Sequence, residues 1–158
     1  MKRSSLRSAG LAILLTMNGC GGLVPLGSAS RAPGLDVARA ALEGGAGQIA
    51  LQISDGVLRE SPNNIRAMEI KGDALSLLGD YDQATAVYRA LLAQDQNSVR
   101  ATIGLGRIRL AKDPAAAEAL FQQALNREPK DLTALNNLGI ARDLQGRHAD
   151  AQTVYRQD

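Results

Sequence analysis

Residues 65–98 read IRAMEIKGDALSLLGDYDQATAVYRALLAQDQNS and contain the pattern that predicts the fold. It consists of two amphipathic halves joined at Gly79, and its pattern returns at residues 99–131 and 132–158. The recurring small, aromatic and helix-ending positions are Gly72, Ala84, Tyr88, Gly106, Ala117, Phe121, Pro129, Gly139, Ala151 and Tyr155. A period of about 34 residues is typical of stacked helical hairpins. The sequence therefore predicts an all-α solenoid of helical hairpins.

Each recurring position has a physical role in such a hairpin. Gly72 and Ala84 are small, so two helices can approach closely, and Tyr88 is expected to fill the space beside them. Gly79 is placed to end the first helix of its hairpin. Pro114 is placed to open a second helix, because proline is tolerated at the first helical position.

The composition indicates an aliphatic core and argues against nucleic-acid binding. Hydrophobic residues make up 45% of the chain but aromatic residues only 3%, so the core is expected to consist of aliphatic side chains. The formal charge is +2, but three of the basic residues lie in a segment that we expect to be removed. Without them, the chain has 15 basic and 16 acidic residues. This balance gives no electrostatic basis for binding nucleic acid.

Residues 1–19 are predicted to be a signal peptide. A positive start is followed by a short apolar run, AGLAILLTM at residues 9–17, which is too short to span a bilayer. The sequence MNGC that ends at Cys20 resembles a bacterial lipoprotein signal, which implies that Cys20 is acylated. The alternative is that Cys20 is incidental and that a conventional peptidase cuts later, for example after Ser30. Residues 20–34 are rich in Gly, Ser and Pro and are predicted to be a flexible tether.

Residues 35–64 are predicted to be a degenerate hairpin. Short helices are expected at residues 35–42 and 48–59, with Pro62 at the helix-breaking position. Ala50 lies at the small-residue position, but Ser54 stands where an aromatic residue is expected.

The spacing in residues 65–158 resembles that of the tetratricopeptide repeat (TPR). In that repeat a glycine is followed by an alanine four residues before an aromatic residue, and then by a proline. The resemblance implies that the first helix of each hairpin lines a concave groove that binds proteins. The candidate groove residues are Arg66, Glu69, Asp73, Arg100, Ile103, Arg107, Thr133, Asn136 and Ile140. This set lacks the residues with which co-chaperone members of the family hold a C-terminal carboxylate. Glu69 and Asp73 would repel one. The alternative for each of these residues is that it is an ordinary solvated helix residue without a role in binding.

Two arginines depart from the repeat pattern. Arg109 and Arg142 stand where the pattern usually has a tyrosine. We expect their aliphatic stems to lie along the seam between repeats, with the guanidinium groups pointing outward.

No combination of residues predicts catalysis. The chain has one histidine, His148, and one cysteine, so it offers neither a cysteine–histidine couple nor a zinc ligand set. His148 is expected to pack and cap a helix, and the acidic residues are expected at solvated positions. We therefore predict a non-enzymatic protein without a metal or cofactor.

Residues 136–156, NNLGIARDLQGRHADAQTVYR, resemble the TPR lipoproteins of tight-adherence (Flp) pilus assembly. The resemblance implies a periplasm-facing accessory, anchored in the outer membrane, whose partners are pilus or secretin assembly components. One alternative is a generic outer-membrane TPR lipoprotein of envelope machinery. Another is a soluble adaptor whose N-terminus is not lipidated. The last helix is short, so we expect Ala151, Val154 and Tyr155 to face either a missing continuation or a partner.

Overall fold

The computed structural model describes residues 33–156, which form eight α-helices and no strand. The helices are α1 (Pro33–Glu43), α2 (Gly47–Glu60), α3 (Ile65–Leu77), α4 (Tyr81–Gln94), α5 (Val99–Arg109), α6 (Pro114–Arg127), α7 (Leu132–Leu144) and α8 (His148–Tyr155). They pair in chain order into four hairpins, as the periodicity predicts. The all-α prediction is confirmed.

The packing order makes the array curve. Every helix contacts the next one along the chain, and the first helices of successive hairpins also contact each other. The second helices α2, α4, α6 and α8 do not contact one another within residues 33–156. The first helices α1, α3, α5 and α7 therefore line the inner, concave side of the array.

Polar residues at the helix starts and glycines at the turns fix the helix ends. The side chains that accept a hydrogen bond from the backbone N–H three residues on are those of Asn64, Asp80, Ser98, Asp113 and Asp131. Such caps stabilise a helix by about 1 kcal/mol each. Gly79 and Gly146 have φ values of 82° and 76°, in the left-handed region that favours glycine. Pro114 is in the first turn of α6, as predicted.

Close helix approach depends on glycine facing an aromatic ring. A Cβ atom built on Gly72 would lie 2.5 Å from Tyr88 Cε1, and one on Gly106 would lie 2.5 Å from Phe121 Cε1. Both rings are fully buried. Tyr88 also meets a glycine of the next hairpin, because a Cβ on Gly104 would lie 2.3 Å from its Cζ. The Tyr88 ring is therefore held between two repeats.

The last hairpin differs from expectation. Ala151 and Val154 do not face outward: both are buried, and Val154 belongs to the same apolar cluster as Leu138 of α7. The short helix α8 turns these two residues toward α7, so the prediction that they face a continuation or a partner is wrong for them. Tyr155 is 36% exposed, and its ring lies against Gly139.

The first hairpin extends slightly beyond its predicted bounds. Helix α1 begins at Pro33, two residues inside the segment expected to be a tether, and α2 is one residue longer at each end than expected. The predicted signal peptide at residues 1–19, Cys20 and the tether up to residue 32 lie outside the described residues. No helix within residues 33–156 is long and apolar enough to cross a membrane.

Candidate functional site

An open groove of about 360 Å³ runs along the concave side of the array, between the second, third and fourth hairpins. Helix α3 contributes Glu69 and Asp73, and the start of α7 contributes Thr133. The middle of the groove is formed by α5. Its remaining acidic residues come from the loops that precede α5 and α7. The α5 residues and loop acids are Arg100, Ile103, Gly104, Arg107, Asp95, Glu128 and Asp131.

A hydrogen-bonded network forms one wall of the groove. Arg100 Nη1 donates to Asp73 Oδ2 at 2.8 Å, and Arg100 Nε lies 3.7 Å from Glu69 Oε2. The Tyr88 hydroxyl donates to Asp73 Oδ1 at 2.7 Å. Asp73 therefore joins α3, α4 and α5 through its two carboxylate oxygens.

Burial shifts the pKa values of two members of this wall. It raises the pKa of Glu69 above its ordinary value, against the opposing attraction of Arg100 and Arg39. Burial and the neighbouring Asp73 carboxylate raise the pKa of the Tyr88 hydroxyl above its ordinary range. The hydroxyl therefore keeps its proton and remains a hydrogen-bond donor to Asp73.

The groove carries more negative than positive charge. Five carboxylates and two guanidinium groups line it, and one of those guanidiniums, Arg100, is already paired. Asp95 and Asp131 accept hydrogen bonds from nearby backbone N–H groups. Glu128 and Arg107 are exposed, and neither side chain makes a hydrogen bond or an ion pair within residues 33–156. These two residues are thus available to a bound partner.

The structure brings together six of the nine residues that the sequence singled out. These six are Glu69, Asp73, Arg100, Ile103, Arg107 and Thr133. Arg66 instead pairs with Asp36 of α1 at 2.9 Å, and Asn136 and Ile140 of α7 do not line the groove. The predicted set lacks the three loop acids Asp95, Glu128 and Asp131. Glu128 and Asp131 lie near the start of α7, where Asp131 is recognisable as a cap.

A second ionic cluster lies at the seam between the third and fourth hairpins. Glu118 of α6 accepts hydrogen bonds from Arg142 Nε at 2.9 Å, Gln145 Nε2 at 2.9 Å and Arg147 Nη1 at 2.8 Å. Its side chain is only 10% exposed. Burial alone would raise the pKa of Glu118, but the hydrogen bonds from Arg142 and Gln145 and the charge of Arg147 outweigh burial and lower it.

This cluster corrects two expectations. Arg142 does not send its guanidinium outward, because Glu118 draws it into the seam, whereas Arg109 is exposed. The acidic residues are not all solvated, since the side chains of Glu118, Asp73 and Glu69 are 10%, 14% and 19% exposed. Helical spacing shows which face a residue is on, but it does not identify a partner more than 20 residues away.

The histidine is a surface residue. His148 is 72% exposed, and its Nδ1 lies 2.9 Å from Asp143 Oδ1 at the α7–α8 turn. It contributes to the turn, but the expected packing role is wrong because the ring lies in solvent. Residues 33–156 contain no group of three or more potential metal ligands.

Comparisons with known proteins agree with this architecture. The sequence profile of the tetratricopeptide repeat family matches residues 35–99, 71–113 and 111–157. A comparison with curated proteins finds no match.

Several solved structures have the same fold. A thermophilic TPR protein from Thermus thermophilus is 18% identical, with a TM-score of 0.73 over 82% of this chain and 72% of its own. MamA from Desulfovibrio magneticus RS-1 is 24% identical, with a TM-score of 0.63 over 79% and 71%. The first TPR domain of the human RPAP3 protein is 18% identical, with a TM-score of 0.62 over 75% and 92%. At these identities the likeness establishes the fold alone.

The four hairpins, the glycine–aromatic contacts and the family profile lead to one assignment. Arrays of this kind present extended concave surfaces for binding proteins. The chain belongs to the tetratricopeptide repeat family.

Proposed function

We propose that this protein is a non-enzymatic, membrane-anchored accessory of Flp (tight-adherence) pilus or secretin assembly, which binds a protein partner in its concave groove. The observation that carries the binding role is the groove itself. It is lined by the three helices α3, α5 and α7, and Arg107 and Glu128 are left without ionic partners in it.

The charge of the groove selects the kind of segment that binds. A C-terminal carboxylate would lie near Glu69 and Asp73, and Arg100 is already engaged by both of them. Glu128 adds an exposed negative charge at the other end of the groove. A segment that places a lysine or arginine beside Glu128 is therefore favoured, because opposite charges steer and orient association.

The anchor is proposed from the N-terminal sequence. An acylated Cys20 would hold the repeats on the periplasmic side of the outer membrane through the tether. Each buried CH₂ of a lipid chain contributes about 0.8 kcal/mol, so two or three chains anchor a protein stably.

The pilus role is supported by the resemblance of residues 136–156 to the Flp-assembly lipoproteins and by the predicted order of lipid signal, linker and repeats, which those proteins also have. The turn that carries much of the resemblance, residues 144–148, makes contacts within the fold. Gly146 adopts the left-handed conformation, and Arg147 binds Glu118. This turn therefore supports a common architecture, and the choice of partner has to be tested on the groove.

Affinity capture from membranes, with the N-terminus intact, tests the proposal. The groove variant is Glu128→Lys, and the matched control is Glu60→Lys, an exposed glutamate at the end of α2 outside the groove. We expect the wild type and Glu60→Lys to retain pilus or secretin proteins, and Glu128→Lys to lose most of them. Equal capture by all three proteins would contradict binding in the groove. Capture of other envelope proteins alone would contradict the pilus role.

Mass spectrometry of the mature N-terminus tests the anchor separately. An acylated cysteine at position 20 is the expected result. An unmodified Met1, or a start near Arg31, would contradict membrane anchoring and leave a soluble adaptor.

A further inference from the structure

The seam between the second and third hairpins opens into a second cleft, on the side of the array that bears the second helices. Its volume is about 350 Å³, and it lies between α4, α5 and α6. Leu105, Ile108 and Leu120 make its floor apolar, and Thr85, Arg89 and Arg109 line it above that floor. An adjoining pocket of about 280 Å³ shares Thr85, Ile108 and Arg109 and reaches the exposed ring of Tyr81.

The repeat itself shows what this seam lacks. In the register of the repeats, Thr85 and Arg109 correspond to Glu118 and Arg142 one hairpin later. There the carboxylate and the guanidinium meet at 2.9 Å and fill the seam. The seam between the second and third hairpins has the arginine, Arg109, but a threonine, Thr85, in place of the glutamate.

The seam between the first and second hairpins is filled by a different pair of residues. The equivalent residues there are Leu51 and Leu75, and both belong to one apolar cluster. An apolar pair and an ion pair each close their seam, whereas threonine opposite arginine offers neither contact. This mismatch accounts for the open cleft between α4 and α6.

The cleft carries unsatisfied positive charge. Neither Arg89 nor Arg109 makes a side-chain hydrogen bond or ion pair within residues 33–156, and both are exposed. The adjoining pocket adds the cations Arg107 and Lys112 and the carboxylates Asp82 and Asp113, of which Asp113 is engaged in capping α6. Two guanidinium groups above an aliphatic floor are complementary to an aliphatic segment with a carboxylate side chain.

We propose that this cleft docks an aliphatic segment of a partner protein and that a glutamate or aspartate of that segment binds Arg109 as Glu118 binds Arg142. The cleft shares no lining residue with the concave groove, which its adjoining pocket meets at Arg107, so the array holds two segments of opposite charge preference on its two faces. A partner supplies the carboxylate that the middle repeat lacks.

Peptide binding measured by fluorescence anisotropy tests this site. The probes are a fluorescein-labelled peptide of alternating leucine and glutamate, and its counterpart with glutamine in place of each glutamate. The protein variants are Arg109→Gln, which removes the cation, and Thr85→Glu, which supplies an internal carboxylate. Glu128→Lys, in the concave groove, is the control. Circular dichroism checks that each variant is folded.

We expect the glutamate peptide to bind the wild type about tenfold more tightly than the glutamine peptide, which corresponds to ~1.4 kcal/mol. Arg109→Gln and Thr85→Glu should each remove most of this preference, and Glu128→Lys should preserve it. Equal binding of the two peptides, no binding, or unchanged binding by Arg109→Gln would overturn the proposal. Because Glu128→Lys is the variant that tests the groove, failure of one site is distinguishable from failure of the other.

Discussion

Replacing Gly104 by alanine tests the packing that joins the second and third hairpins. The new Cβ would lie 2.3, 2.5 and 2.7 Å from three ring atoms of Tyr88, whereas carbon atoms in ordinary contact are about 3.5–4.0 Å apart. The ring would have to move by about 1 Å. Its movement is restricted, because Gly72 also packs against Cε1 and Cζ of the ring and Asp73 accepts a hydrogen bond from its hydroxyl.

The expected loss of stability follows from two opposing effects. Overpacking of a tight core costs about 1–3 kcal/mol, and the confinement of Tyr88 places this site near the upper end. Alanine is favoured over glycine inside a helix by about 1 kcal/mol. The net effect of Gly104→Ala is therefore a loss of about 2 kcal/mol in the free energy of unfolding.

Gly56 of α2 provides a matched control. It is also inside a helix, but a Cβ there would meet only Arg59 Nη2, at 3.7 Å. Gly56→Ala should therefore stabilise the protein by up to about 1 kcal/mol. For a chain of this size, each kcal/mol shifts the thermal midpoint by about 2–4 °C, which circular dichroism melting can measure.

A second substitution isolates the ring as the cause. With Tyr88→Leu in the background, Gly104→Ala should no longer destabilise the protein, because the ring atoms that it would meet are gone. A shift of the midpoint in the same direction by Gly104→Ala and Gly56→Ala would show that the Cβ of residue 104 does not clash with the ring. Persistence of the loss without the Tyr88 ring would show the same.

Three further substitutions test the remaining contacts by denaturant or thermal unfolding. Glu118→Gln should cost about 1–3 kcal/mol at neutral pH. Because the folded-state pKa of Glu118 lies below its ordinary value of 4.5, this difference should be present above pH 4.5 and disappear as the pH falls through the lowered pKa; a difference independent of pH would contradict it. Tyr88→Phe should cost about 1.5–3 kcal/mol by removing a hydrogen bond to the Asp73 carboxylate, and no loss would show that this bond contributes nothing. Gly139→Leu should cost about 1–3 kcal/mol, nearer the lower figure because the exposed Tyr155 ring can swing aside, and an unchanged melt would refute the tight crossing.

Local rules made most of the fold predictable from the sequence. Gly72 with Tyr88 and Gly106 with Phe121 pair within one hairpin, so their spacing identifies the contact. The turn glycine Gly79 follows from the same register. These features repeat, and a repeated pattern is much more specific than a single match.

Contacts between hairpins could not be read from the same pattern. Gly104 packs on Tyr88 of the preceding hairpin because α5 crosses α4 closely, which depends on the curvature of the array. Glu118 accepts hydrogen bonds from Arg142 and Arg147, which are 24 and 29 residues away in the sequence. Neither partner therefore lies on the same helix as Glu118. The burial of these charges is a property of the seam, which no single repeat contains.

The candidate groove was predictable in part for the same reason. The repeat register placed Asp73 and Arg107 on the concave side, but it did not show that Arg100 would be engaged by Glu69 and Asp73. Nor did it show that Glu128, in the loop before α7, would reach the groove. Loop residues fall outside the helical period, so periodicity cannot place them.

Site-specific photo-crosslinking in cells tests the central claim most directly, namely that the concave groove binds a protein partner. A photoreactive amino acid placed at Thr133 lies in the groove, and one at Gln123, exposed on α6, lies outside both the groove and the cleft. We expect a crosslinked adduct with an envelope protein from position 133, which is weakened by Glu128→Lys, and none from position 123. An absence of adducts at position 133, or equal adducts at both positions, would contradict it.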